Sequence, residues 1–167
     1  MNNDITIDKA ISNNSLVSLP DIEKIVSVKI NAEAEKVFYF LERIGGENGW
    51  FSYDSSQLMK NFEKGKLFLK ENFSKINPKG KIDLFHIADF EKNKKLRLIF
   101  ESAFAIGENS FFILQDKSGR AELINVYRVK LKNFWGRLFW KIQKPFDRRI
   151  RNKMLTNIKK LAEQFHS

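Results

Sequence analysis

The sequence predicts an α+β fold in which a curved antiparallel sheet of about six to seven strands wraps a long C-terminal helix. Three observations predict it. Alternating apolar runs follow one another between Ile82 and Leu131 with short, turn-like connections, which suit antiparallel neighbours rather than crossover helices. An apolar residue recurs every three or four positions from Trp135 to Phe165, as on one helix face. Sixteen Phe residues supply a large apolar volume for a single core.

The elements follow in order. Met1 to Pro20 is rich in Asn, Ser and Asp without a sustained period, and reads as a mobile tail or a loosely docked arm. Residues 21–167 then form one domain. Ile22 to Ile30 alternates, with Ile22, Val26, Val28 and Ile30 on one face, and is a half-buried strand. Asn31 is the expected N-cap of a helix whose stripe is Val37, Phe38, Phe40, Leu41 and Ile44, stopped by Gly45-Gly46. Asp54 could cap a short helix with Leu58, Met59 and Phe62, and Leu67 to Phe73 is a weaker strand. Asn77-Pro78-Lys79-Gly80 is a turn. Strands are expected over Ile82–Phe90, Leu96–Phe104, Ser110–Gln115 and Arg120–Leu131, with turns at Glu91–Lys94 and Asp116–Gly119 and a break near Gly107. The final stripe keeps phase across Pro145, which fits a kinked helix or two helices meeting there.

Composition narrows the function classes. The 167 residues are 43% hydrophobic and 30% charged, a globular balance. The absence of cysteine excludes disulfides, a thiolate metal site and a cysteine nucleophile. No signal pattern opens the chain and no stretch approaches a membrane span, so a cytoplasmic location is expected. Net charge is +10, and Lys130 to Ser167 holds eleven Lys and Arg against only Asp147 and Glu163, or +9 of that total. Charge so localised belongs to one surface element.

A sheet with one apolar face needs a cover, and the final helix has the length and stripe to provide it. This is the helix-grip arrangement, in which space between sheet and helix can become a pocket. The order resembles the START-like (SRPBCC) superfamily of hydrophobic-ligand-binding domains, and in particular an uncharacterised bacterial branch of it. The resemblance runs from Ile22 to Phe165. It is carried by Gly45-Gly46-Glu47-Asn48-Gly49-Trp50, by Gly80-Lys81-Ile82-Asp83-Leu84-Phe85-His86, by Lys95-Leu96-Arg97-Leu98, and by Phe134-Trp135-Gly136-Arg137-Leu138-Phe139-Trp140 with Pro145 following. This chain departs from that branch in a Lys-rich segment between Phe62 and Lys81, and in Phe146-Asp147 where relatives place a His after the proline. The resemblance implies a pocket for a small hydrophobic or lipid-like ligand, and, as an alternative, cyclase or hydrolase chemistry on the same fold.

Six residues make up the expected ligand-contacting set. His86 shares a strand face with Ile82, Leu84, Ala88 and Phe90, which would aim it at the concave interior. Asn125 and Tyr127 interrupt the apolar face formed by Ala121, Leu123, Val129 and Leu131, where a polar group needs a partner. Phe100 lies in phase with Leu96 and Leu98, and Ser102 is a weaker member of that row. Trp50 follows the Gly-rich loop and would gate or plug the pocket mouth, and Phe139 belongs to the helix stripe. Trp135 and Trp140 read as packing anchors. His166, next to the C-terminus, reads as solvated.

No catalytic residue is assigned. No phosphate-binding loop follows a strand, and two His without Cys make a metal site improbable, so no cofactor and no metal are expected. Catalysis would have to use His86, Tyr127 or a carboxylate that folding brings in. The basic positions of the last helix, among them Arg148, Arg149 and Arg151, read as a solvated back. They could also attract an anionic membrane surface. Nucleic acid is disfavoured because no reading motif is present.

Overall fold

The computed structural model describes residues 15–45, 50–52 and 81–165, without the side chains of Lys81, Gln143, Pro145 and Phe146. The helix expected after Asp54, the strand Leu67 to Phe73, the turn at Asn77 to Gly80 and His166 lie outside the described residues. Among the described residues six strands form one antiparallel sheet: β1 (Ile22–Ile30), β2 (Lys81–Ile82), β3 (Phe85–Glu91), β4 (Lys95–Glu101), β5 (Ala105–Gln115) and β6 (Ala121–Leu131). The spatial order is β1-β6-β5-β4-β3-β2, so the first strand pairs with the last and the others form a meander. Two helices are described, α1 (Ala34–Leu41) and α2 (Phe134–Gln164).

The core forms where both helices meet the inner sheet face. Ile30, Leu96, Leu98, Phe111, Ile113, Ala121 and Leu123 pack with Val37, Phe38 and Leu41 of α1 and Met154, Leu155, Ile158 and Leu161 of α2. Phe38 and Phe90 meet at 5.2 Å between ring centres, and Phe40 turns its edge to Phe51. Each fully buried aromatic or aliphatic side chain there contributes about 1.5–3 kcal/mol by leaving water.

Several local expectations shift. The N-cap of α1 is Glu33, without a side-chain bond, whereas Asn31 donates its backbone N–H to Glu163 at 2.8 Å. β5 runs through Gly107 unbroken. Helix α2 is one run of 31 residues that includes Pro145. The expected strand Ile82–Phe90 is instead a tight hairpin. Asp83 and Leu84 turn the chain, with Asp83 at φ 54°, and Ile82 pairs with Phe85. A β-bulge between Ile87 and Asp89 shifts the pairing register again. Ile87 and Phe90 therefore face inward and His86 is exposed on the convex face, opposite Ile99. Ser102 leaves the row of Leu96, Leu98 and Phe100 because β4 ends at Glu101; its hydroxyl accepts from the amides of Phe104 and Ala105.

The start of α2 is tied to the β4–β5 loop. Asn133 caps it, accepting from the Gly136 amide at 3.0 Å, and donates its own amide to the Ala103 carbonyl at 3.2 Å. A Cβ on Gly136 would lie 2.5 Å from the Phe104 carbonyl oxygen. Alanine favours a helix interior over glycine by about 1 kcal/mol, but a backbone carbonyl at that distance cannot give way cheaply. Gly136→Ala is therefore expected to destabilise by about 1–2 kcal/mol net, read as a lower melting temperature. An unchanged or raised melting temperature would mean that the helix start can lift off this loop.

The convex face carries a buried charged network. Glu108 is fully buried, with Arg97 at 3.1 Å, Arg128 at 3.6 Å and the Ser110 hydroxyl at 2.6 Å. The Leu16 amide donates to the same carboxylate at 3.0 Å, and Val17 beside it is buried. The chain before β1 thus touches the outside of the sheet at these two residues.

Candidate functional site

The polar residues of the inner face gather where α2 crosses β1, β6 and β5. Antiparallel register places Lys24, Tyr127 and Asn109 in one row across the three strands, with Asn125 beside them opposite Val26 and Phe111. On α2, Gly136, Trp140, Asp147 and Arg151 recur at helical spacings and lie on the sheet-facing side, each buried or half-buried.

Arg151 is the centre. Its Nε donates to both Asp147 carboxylate oxygens at 3.0 and 3.1 Å, and Nη2 donates to Oδ1 at 2.9 Å. Nη1 donates to the side-chain oxygens of Asn109 at 3.3 Å and Asn125 at 3.1 Å. Asn125 in turn donates to Asn109 at 2.7 Å and to the Ser110 carbonyl at 3.1 Å. The guanidinium lies 3.5 Å from the centre of the Tyr127 ring, whose other neighbour is Trp140 at 6.1 Å. Lys24 reaches Asp147 at 2.7 Å and passes 5.1 Å from the Trp140 ring.

The electrostatics follow from this packing. Burial raises the Asp147 carboxyl, but the hydrogen bonds and charges of Arg151 and Lys24 outweigh it and hold the pKa below its ordinary value. Burial pushes the Tyr127 phenol up, against the opposing pull of Arg151, so at neutral pH it is a hydrogen-bond donor and not a base. Lys24 and Arg151 supply two positive charges and Asp147 one negative charge, so this set keeps a net positive charge within the grip.

Beyond the polar set the inner face is aromatic. Phe100 packs over Gly107, where a Cβ would meet its ring, and contacts Phe85 at 5.2 Å. Trp50 packs on Phe85 at 5.0 Å and donates to Asp83 at 3.0 Å, which fixes it to the β2–β3 hairpin. These rings are half-buried, unlike the sealed core beside α1. An open depression of about 570 Å³ between the start of α1 and the β3–β4 turn, lined by Glu33, Glu35, Lys92, Lys94 and Gln115 among others, shares no residue with the cluster. Among the described residues no three His, Asp or Glu gather in a way that could hold a metal ion.

Of the six expected contact residues, Asn125, Tyr127, Phe100 and Trp50 lie on or beside the inner face. His86 does not, because the turn at Asp83 and Leu84, which comes before it, reverses its face. Phe139 does not either, since it lies about 100° round α2 from Trp140 and is 59% exposed. Trp135 is no packing anchor; it is 65% exposed. Arg151 is not part of a solvated back, being only 8% exposed. Sequence reasoning missed Lys24, Asn109, Asp147 and Arg151 as partners. Asp147 carried a signal: it is the lone acid between Lys130 and Lys160 and stands four residues before Arg151.

No family model matches the chain, and no curated protein does. Solved structures do. An uncharacterised protein of Rhizobium leguminosarum superposes with a TM-score of 0.55 at 11% identity, over 86% of this chain and 95% of that one. A protein of Mycobacterium smegmatis does so with a TM-score of 0.52 at 8% identity, over 87% and 93%. Another M. smegmatis protein, described as of the START superfamily, matches at 0.45 and 11% identity over 83% and 98%. The chain shares the fold of the R. leguminosarum protein and of the first M. smegmatis protein. In this chain the sheet-facing side of α2 holds the Arg151 cluster, and the rings of Phe85, Phe100 and Trp50 are half-buried.

Proposed function

We propose that this START-like domain is a binding module for a small apolar molecule with an acidic or otherwise hydrogen-bond-accepting head. The body would lie along Phe85, Phe100 and Trp50, and the head would meet Lys24, Tyr127 and Arg151. The observation that carries this reading is the charged cluster on the inner face. A sheet–helix interface built only for stability would gain as much from apolar side chains there, because desolvating an ion pair offsets most of its attraction. The net positive charge favours an acidic head, and the half-buried rings favour an apolar body.

The cyclase or hydrolase alternative has less support. It needs His86 and Tyr127 on one side of the sheet, and they lie on opposite faces.

The test is native mass spectrometry of freshly purified protein, followed by uptake of a fluorescent fatty acid. A retained or absorbed acidic amphiphile is expected. Tyr127→Phe and Lys24→Ala should each weaken its binding by about 10-fold, the loss of one charge-assisted or buried hydrogen bond. A bare chain mass together with no uptake of the probe would refute the reading.

A further inference from the structure

The first half of α2 carries an apolar face that the sheet does not cover. Trp135, Leu138, Phe139 and Ile142 follow one another at helical spacing and are 65%, 41%, 59% and 65% exposed. Phe134 stacks edge-on against Trp135 and is exposed with it. Phe104 joins them from the β4–β5 loop, which the Gly136 contact holds against the helix. Six large apolar side chains in one place exceed the scattered exposure that a soluble surface tolerates.

The charge around this face points to its partner. From Lys130 to Phe146 the chain has five cations and no acid. Lys132 is paired with Glu101. Arg137, Lys141 and Lys144 are exposed, and among the described residues no carboxylate pairs with them. Asp147, the next acid, is turned inward to Arg151. A surface that joins Trp and Phe to unpaired cations matches the headgroup region of an anionic bilayer, where rings enter the acyl boundary and cations meet phosphate. No described helix is long and apolar enough to cross a membrane, so the fit is to lying on the surface.

We infer that the N-terminal half of α2 docks the domain on an anionic phospholipid surface, with Trp135 and Phe139 entering the lipid and Arg137 and Lys141 meeting the headgroups. This docking does not depend on the binding proposed at the Arg151 cluster.

The experiment is co-sedimentation of the full chain with phosphatidylcholine vesicles, with and without phosphatidylglycerol. Binding is expected only with phosphatidylglycerol, and is expected to fall as salt rises. Trp135→Ala/Phe139→Ala and Arg137→Glu/Lys141→Glu should each weaken it by about 10-fold or more, at an unchanged melting temperature. Arg149→Glu, farther along the helix, should do less. Failure to bind anionic vesicles would overturn the inference. So would binding that the aromatic pair does not affect, which would indicate a general polyanion site. A dimer in velocity sedimentation that Trp135→Ala/Phe139→Ala dissociates, without vesicle binding, would assign the face to a second copy of this chain and also overturn it.

Discussion

Replacing Arg151 with Ala is expected to lower the free energy of unfolding by about 3 kcal/mol and the melting temperature by about 10 °C. The substitution removes the guanidinium donors that Asp147 receives from Arg151 and leaves Asn109 and Asn125 without the guanidinium between them. Among the described residues only the Lys24 cation would then face the buried carboxylate. The loss reflects an uncompensated buried charge rather than the net worth of the pair. The double variant Arg151→Met/Asp147→Leu should accordingly recover most of it, and thermal melts of the two variants check this directly. If the double variant is as unstable as the single one, packing of the guanidinium on Tyr127 carries the stability instead.

The same pair sets an acid limit. The folded pKa of Asp147 lies below the ordinary aspartate value of 3.8. Its contribution is therefore fully present above about pH 4 and is lost as pH falls through the folded value. Urea titrations from neutral to acid pH should show this loss in the native chain. In Asp147→Asn the step should be missing, from a lower starting stability.

Glu108→Ala is expected to cost about 4 kcal/mol, the upper part of the range for breaking a buried ionic network. Glu108 has no exposed surface and joins Arg97, Arg128 and Ser110 across the middle of the sheet. Its removal leaves two largely buried guanidinium groups leaning on Asp89 and Glu23 at the rim. The Leu16 amide also loses its acceptor, so its hydrogen exchange should accelerate by about 10-fold or more beyond the global change. Urea unfolding and amide exchange measure the two effects separately. A cost below about 1 kcal/mol would mean that the convex network behaves like a solvated surface.

The legibility of the sequence differed between elements for physical reasons. β1 and β6 kept a plain alternation from end to end, so their inner faces, including Asn125 and Tyr127, could be assigned from period two alone. The run Ile82–Phe90 has the same alternation and still misled, because Asp83 takes a positive φ and a bulge follows. A single inserted residue reverses every later side chain, and His86 lies between those two irregularities. In α2 the stripe from Trp135 to Phe165 is continuous in sequence, yet among the described side chains only those from Met154 onward belong to the core. Trp140 and Asp147, one position off the apolar stripe, take the sheet-facing line in the first half.

What the sequence determined by itself is local: the strand character of β1, β4 and β6, the helical character of α1 and α2, where Asp116 to Gly119 turns, and that α2 is basic and apolar at once. Such features come from short-range sterics and from the periods of helix and strand. Only the tertiary structure decided which neighbour each face meets. It buried Arg151 by giving it Asp147, Asn109 and Asn125, sent His86 outside, and left Trp135 and Phe139 uncovered. Burial is a property of a pair of surfaces, and the second surface of each pair lies far away along the chain.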